Sequence, residues 1–270
     1  METHILLFLI TIVAAAINSV AGGGGLLTFP VLMTVLPPIT ADATSAAALL
    51  PAYMTSTWAG RKHLAPVRHW YWLLLGPSLL GSLLGALLLN WSANRSFTAL
   101  IPWLILTATL LTLRPLLTRT ALSGQSLGAV APVETTSAAS LSLQIGAGVL
   151  LFAVAIYGGY FGAGIGILVI AAVDLIGLTD IHSILPLKNA LCGSLRAVAV
   201  AVFLLEGKVN WEYGLVMAAG ALLGGYIGGS VVRWVNRTLV RAGIVALGFG
   251  MTAYYFWRIY ATGIHLFGGD

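Results

Sequence analysis

The sequence predicts an all-α, polytopic membrane protein built from two inverted repeats. Three observations carry this. First, 59% of the 270 residues are hydrophobic and only 8% are charged, with a mean hydropathy of +0.97. A soluble domain is nearer half apolar and a quarter charged. Second, the apolar residues fall into ten runs, and a bilayer crossing needs about 20 residues. Third, the two halves of the chain match each other. The composition excludes a soluble enzyme, a nucleic-acid binder and a disordered chain. The net charge of +5 then reflects Lys and Arg in cytoplasmic loops rather than a nucleic-acid surface. One cysteine, Cys192, excludes an internal disulfide framework and an all-cysteine metal site.

The runs lie at 5–21, 26–37, 43–59, 70–90, 97–113, 141–157, 164–177, 183–205, 212–232 and 239–260. The first resembles a secretory signal, but the charge before it is Glu2 rather than Lys or Arg, so it reads as a helix of the mature protein. The second and seventh hold only 12 and 14 residues. That suits half-helices or re-entrant segments. Both follow glycine-rich breaks, Gly22 to Gly25 and Gly158 to Gly166. Residues 115–140, rich in Ser, Thr, Ala and Gly, read as a cytoplasmic connecting loop between repeats spanning 1–114 and 141–270.

The halves align in order. AGGGGLLTF at 21–29 meets FGAGIGILV at 161–169, an offset of 140. Asp42 falls on Asn189 and Gly60-Arg61 on Gly207-Lys208 at 147, and Gly81 and Gly85 fall on Gly225 and Gly229 at 144. Five runs per half is odd, so like-folded halves must lie upside down relative to each other, as in many secondary transporters. Alternation puts eight Lys/Arg on one side (Arg61, Lys62, Arg68, Arg114, Arg119, Arg233, Arg237, Arg241) and three on the other (Arg95, Lys208, Arg258). The positive-inside rule then makes 60–69, 115–140 and 233–241 cytoplasmic and both termini external.

The segments INSVAGGGGLLTFPVL (17–32) with ADATSAAALL (41–50), and GGYFGAGIGILVIAAVDLIGL (158–178) with LPLKNALCGSLRAVAVAVFLLEGKVNW (185–211), resemble the paired signatures of the sulfite exporter TauE/SafE family. The resemblance spans nearly the whole chain. It implies a permease of the bacterial inner membrane, often an exporter, for small anions such as sulfite, organosulfonates and related short-chain acids. One departure bears on the substrate. Where second halves of the family commonly carry a Thr-Ser pair like Thr44-Ser45, this chain has Leu191-Cys192 after Lys188-Asn189.

The candidate site follows from chemistry inside a bilayer. Unwinding a helix exposes backbone groups that need partners or a wet cavity, and the next half-helix presents a positive N-terminus to an anion. Gly23, Gly24 and Gly25 in the first break and Gly162 and Gly164 in the second are placed to do this. The alternative is close helix packing, the role expected of Gly81/Gly85 and Gly225/Gly229. Lys188 and Arg196, eight positions apart in one apolar run, share a helix face. Cations at that depth usually face a pathway or a partner. The competing reading pairs Arg196 with Asp174 or Asp42 and lets Lys188 snorkel to the surface. Asp42 is either a helix N-cap or a proton-coupling carboxylate, and Asn189 an N-cap or a substrate contact. Asn18, Ser19, Thr44 and Ser45 offer neutral donors beside the first break, or bond their own backbone.

Enzyme motifs are weak. Gly124-Gln125-Ser126-Leu127-Gly128 matches G-x-S-x-G but lacks a preceding strand, and the sequence contains neither H-E-x-x-H nor a Walker A motif. No metal or cofactor is expected. The partners expected are a small anion and the lipid bilayer, not nucleic acid, and a homo-oligomer remains open. A passive anion channel and a membrane subunit of a larger complex are the rival readings. The predicted orientation is tested by labelling from outside with a membrane-impermeant thiol reagent. Cysteine placed at His265 should react, and cysteine at His63 should not. The reverse pattern overturns the orientation.

Overall fold

The computed structural model describes residues 2–122, 141–174, 176, 178, 180–231 and 237–261. Among these residues the chain is helical and contains no strand. The helices are α1 (Glu2–Ala21), α2 (Gly25–Leu32), α3 (Pro38–Ala59), α4 (Arg61–Leu64), α5 (Arg68–Trp91), α6 (Asn94–Leu122), α7 (Leu141–Tyr160), α8 (Ile165–Asp174), α9 (Ile181–Leu205), α10 (Trp211–Val231) and α11 (Arg237–Phe256). A 3-10 turn at Ala65–Val67 follows α4, and a π-helical turn at Trp257–Ala261 follows α11. Each apolar run therefore contains a helix among its described residues. Among the described residues, four helical stretches, Glu2–Ala21, Arg61–Trp91, His182–Leu205 and Trp211–Val231, are long and apolar enough to cross a membrane.

The boundaries differ from the sequence reading in three places. The second run ends as α2 at Leu32, and turns carry the chain through Leu36. Pro37 then sets extended backbone ahead of α3, with Pro38 at its first position. The connecting loop expected from residue 115 is helical as far as Leu122. At 29 residues, α6 is about 44 Å long, more than the roughly 30 Å hydrocarbon core. Residues 123–140, with the Gly124–Gly128 motif, lie outside the described residues, as do Arg233 and His265.

Glycine sets the packing. A Cβ built on Gly220 would lie 2.6 Å from the Phe8 carbonyl oxygen, and one on Gly228 the same distance from Ala16 O; Gly224 abuts Ile12 O in the same row. These positions recur every four residues, so one face of α10 lies flat against α1. The register rises in step, 8 to 220 and 16 to 228, so the two helices are parallel. The arrangement repeats between α5 and α7. Gly81 and Gly85 meet the carbonyls of Phe152 and Ile156, and Gly159 meets Ser82 O. Gly225 and Gly229 meet Ala52 and Ser56 of α3. The packing role expected of both glycine pairs is thus observed. In lipid, where no hydrophobic effect joins apolar helices, such backbone approach is what dispersion attraction requires.

Helices α3 and α9 run antiparallel through the centre, with Tyr53 on Gly193 and Pro186 on Gly60. Beside them the glycine breaks reverse the chain. Gly22 and Gly162, equivalent in the repeat alignment, both have left-handed backbone, φ 84° and φ 69°. Only glycine takes this conformation without steric cost. Gly22 N–H bonds the Asn18 carbonyl at 3.0 Å, closing α1 with an αL cap.

Packing at zero side-chain volume generates a test. Gly224→Leu should destabilise the fold by about 1–3 kcal/mol through overpacking. Gly76→Leu, where a Cβ meets nothing within 4 Å, should be neutral. The readout is thermal unfolding in detergent, followed by a thiol-reactive fluorophore, since Cys192 is buried and reacts on unfolding.

Candidate functional site

Two helix ends meet at mid-height of α9. Ending α1 at Ala21 and α7 at Tyr160 leaves last-turn carbonyls short of helical partners, although Asn18 O keeps the Gly22 N–H. At a protein surface water would satisfy them; here Asn18 and Ser19 are buried. The partners come from α9. Lys188 Nζ donates to Asn18 O at 2.8 Å and to Ser19 O at 3.2 Å, and Asn189 Nδ2 donates to Ser19 O at 3.4 Å. Two turns further on, Arg196 Nη1 donates to Gly158 O at 2.8 Å and Nη2 to Phe161 O at 3.4 Å. One helix thus caps the negative ends of two others, in the sense the helix dipole favours. Lys188 is 0% exposed and Arg196 3%, so Lys188 does not snorkel.

The ion pair offered for Arg196 is absent for Asp42, which lies outside ion-pair distance. The side chain of Asp174 is not among the described residues. Arg196 stacks so closely over Gly162 that any Cβ there would collide with the guanidinium. A guanidinium carries five N–H donors, and the two carbonyls engage it on one edge.

The breaks touch directly. A Cβ on Gly22 would lie 2.5 Å from Gly166 Cα, and one on Gly25 3.3 Å from Ala163 Cα. Both breaks read from the sequence as anion-binding, yet their contact leaves no room for a substrate between them in this conformation. Gly24 lies against the Ala14 carbonyl, and its N–H reaches Asn18 Oδ1 at 3.4 Å. Gly164 has φ 75° and approaches Ala108 of α6. Gly23 lies buried in the same turn.

The remaining candidates separate into two groups. Asn18, Ser19, Lys188 and Asn189 share the end of α1. Asp42, Thr44 and Ser45 lie about three turns up α3 from Ser56, on the other side of the breaks. Ser45 Oγ is 2.6 Å from Thr28 Oγ1, and Thr44 Oγ1 accepts from Asn210 N at 2.9 Å. Neither Asp42 nor Asn189 is an N-cap. Asp42 lies in the second turn of α3 behind Pro37, and Asp180 caps α9 by accepting from His182 N and Ser183 N. Asp42 is 2% exposed with Oδ2 unpartnered, and Asn189 is 2% exposed with Oδ1 unpartnered.

Below the breaks a cleft of ≈ 710 Å³ opens between the end of α3, α4, the start of α9 and the end of α10, with Asn189 among its lining residues. Above them the space is filled by rings. Phe29 packs edge-on against Phe97 and Phe161, at centroid distances of 6.3 and 5.1 Å. Tyr157, unnoticed in the sequence, donates to Ala163 O at 2.8 Å and so holds the second break. A polar ring just before a glycine break was the available signal.

The model of the family described as sulfite exporter TauE/SafE matches residues 7–255. A probable membrane transporter protein of Haemophilus influenzae is 32% identical over 251 residues, 92% of each chain. Probable membrane transporter protein YfcA of Escherichia coli K12 is 28% identical over 92% of this chain and 87% of its own length. Probable membrane transporter protein ORF9 of a Sinorhizobium species is 28% identical over 82% and 80%. No solved structure matches the chain. The chain belongs to the TauE/SafE family of membrane transporters.

The cap geometry generates a test. Gly162→Ala forces an L residue to φ 69° and pushes a methyl group into the Arg196 guanidinium. It should destabilise the fold by about 1–3 kcal/mol. Gly146→Ala, with nothing within 4 Å of the added carbon, should be neutral or slightly stabilising. The Cys192 unfolding readout compares them.

Proposed function

We propose that this transporter exports small organic or sulfur-containing anions, such as sulfite, sulfonates or related short-chain acids, across the bacterial inner membrane by alternating access. The observation that carries the reading is Arg196. It is a guanidinium two-thirds of the way along an apolar helix, buried, bonded to two neutral carbonyls, with no described carboxylate in ion-pair range. A cation so placed, with no described carboxylate at contact distance, sits in a low-dielectric interior where a passing anion is attracted strongly. Its spare N–H groups suit the paired oxygens of a carboxylate or sulfonate. Lys188 adds a second positive centre on the same helix.

Alternating access in this reading separates the two breaks. Their contact is backbone against backbone, without interlocking side chains, so parting them breaks little packing. The inverted 5 + 5 repeat supplies the symmetry. Its support is the shared left-handed glycines at 22 and 162 and the matched parallel packing of α1 on α10 and α7 on α5. The cleft below the breaks and the ring cluster above them suit a conformation open to one side. Asp42, buried with an unpartnered carboxylate oxygen, is the residue placed to carry a coupled proton.

The test is anion flux into liposomes holding the purified protein, with sulfite and ethanesulfonate as probes. Wild type should show saturable uptake accelerated by anion on the far side. Arg196→Lys keeps charge but loses the planar fork, and flux should fall about tenfold or more; Arg196→Gln should abolish it. Because Arg196 also caps α7, the folded fraction is measured first through Cys192. A well-folded Arg196→Gln protein that transports at the wild-type rate overturns the role of Arg196.

A further inference from the structure

The cleft beneath the breaks has a chemistry of its own. Its mouth carries Lys62 and His63 from α4 and His182 from the start of α9, and its walls carry Ser56 and Ser230. The two imidazoles face each other with centroids 5.5 Å apart. Among the described lining residues there is no carboxylate. The nearest one along the chain, Asp180, is turned back onto its own helix. It accepts from His182 N and Ser183 N at 3.1 Å each and from Ser183 Oγ at 2.7 Å. The mouth therefore presents donors and positive charge.

The deep end is different. Asn189 lines the cleft at 2% exposure, and its Oδ1 has no hydrogen-bond partner. The amide orientation is set by its neighbour: Nδ2 must face Ser19 O, which is itself an acceptor. The carbonyl oxygen is shut off from solvent in this conformation, so a donor reaches it when the side chain turns outward into the cleft, and a buried acceptor left without a donor is costly.

From this juxtaposition we infer that the cleft is a binding site for an organic anion that also carries a hydroxyl or amino donor. The anionic group lies among Lys62, His63 and His182, and the donor bonds Asn189 Oδ1. The inference rests on the anion-transport reading and narrows its substrate class. Size agrees with it. A volume of ≈ 710 Å³ lies within the range of small-molecule pockets, about 300–1,000 Å³, and exceeds what a bare oxyanion fills. His182 and Asn189 are separated by about 10 Å along α9, with side chains reaching in from both ends. Position adds a consequence. Asn189 and Lys188 both hold the Ser19 carbonyl beside the first break, so a ligand on Asn189 Oδ1 bears on the residues that fix the end of α1.

The experiment uses matched probes that differ by one hydroxyl: 2-hydroxyethanesulfonate against ethanesulfonate, and lactate against propionate. Affinities are measured by calorimetry on the detergent-purified protein. In wild type the hydroxylated member of each pair should bind about tenfold more tightly, since it satisfies the orphan acceptor. Asn189→Ala should bring each pair to equal affinity. Lys62→Gln with His182→Gln should weaken both members about equally and preserve their ratio. Cysteine at Ala59 should be protected from a thiol reagent by 2-hydroxyethanesulfonate. Equal affinities within each pair in wild type, or discrimination that survives Asn189→Ala, overturns the inference; the wild-type comparison holds even if the variant misfolds. Liposome flux separates the two levels. Anion transport without discrimination defeats the cleft assignment alone, whereas no binding and no flux of any probe defeats the transport reading with it.

Discussion

Everything near the centre of this protein depends on how backbone carbonyls are satisfied where a helix stops inside the bilayer. A broken helix leaves carbonyls that water cannot reach, and each costs several kcal/mol in hydrocarbon if unpaired. The chain answers with cations. Lys188 takes the end of α1 and Arg196 the end of α7. The same device recurs at the rims. Lys208 donates to Asn90 O in the last turn of α5, and Arg61 to Trp58 O in the last turn of α3. A neutral donor would satisfy the hydrogen bond, but a cation also meets the negative end of the dipole. In the buried pair that choice brings positive charge to the position where the breaks meet.

The second requirement is that the breaks be able to touch. Gly22 and Gly166 approach to a distance no side chain permits, and this contact fixes where α2 and α8 begin. The glycine faces of α10 and α5 make the same demand of α1 and α7. Close backbone approach therefore serves two ends. Along the flanking helices it provides dispersion contact over a whole face. At the breaks it makes a junction without knobs or holes, held by Tyr157, Lys188, Asn189 and Arg196 rather than by interlocking side chains.

The polar groups left unpartnered are informative against this background. As Asn90 does near the end of α5, Asp42 and Asn189 each retain a buried oxygen without a donor. They occupy equivalent positions in the two halves of the sequence, one on each side of the breaks. Thr44 and Ser45, by contrast, are bonded within the protein, to Asn210 and to Thr28, so these two hydroxyls the sequence offered as donors are engaged in holding α2, α3 and the Asn210 turn together.

The sequence by itself determined the helical membrane class, the ten apolar segments and the positions of the two breaks, and it offered Lys188, Arg196, Asn189, Asp42, Asn18, Ser19, Thr44 and Ser45 as polar candidates. Hydropathy and glycine are local signals, written in consecutive residues. It also supplied the packing role of Gly81, Gly85, Gly225 and Gly229, because spacing by four residues places them on one helix face. Tertiary structure alone decided what the cations hold. Arg196 was open to a carboxylate in the sequence, yet its partners are carbonyls about 35 to 38 residues away, and main-chain acceptors leave no trace in residue identity. It decided that Gly22 meets Gly166 rather than its repeat mate, and that Asp42 lies inside α3 instead of capping it. It also divided one list of polar candidates between two sides of a junction. The reason is common to all of these: side-chain type is encoded at each position, whereas the partner of a buried donor depends on which helix ends the fold brings within three ångströms of it.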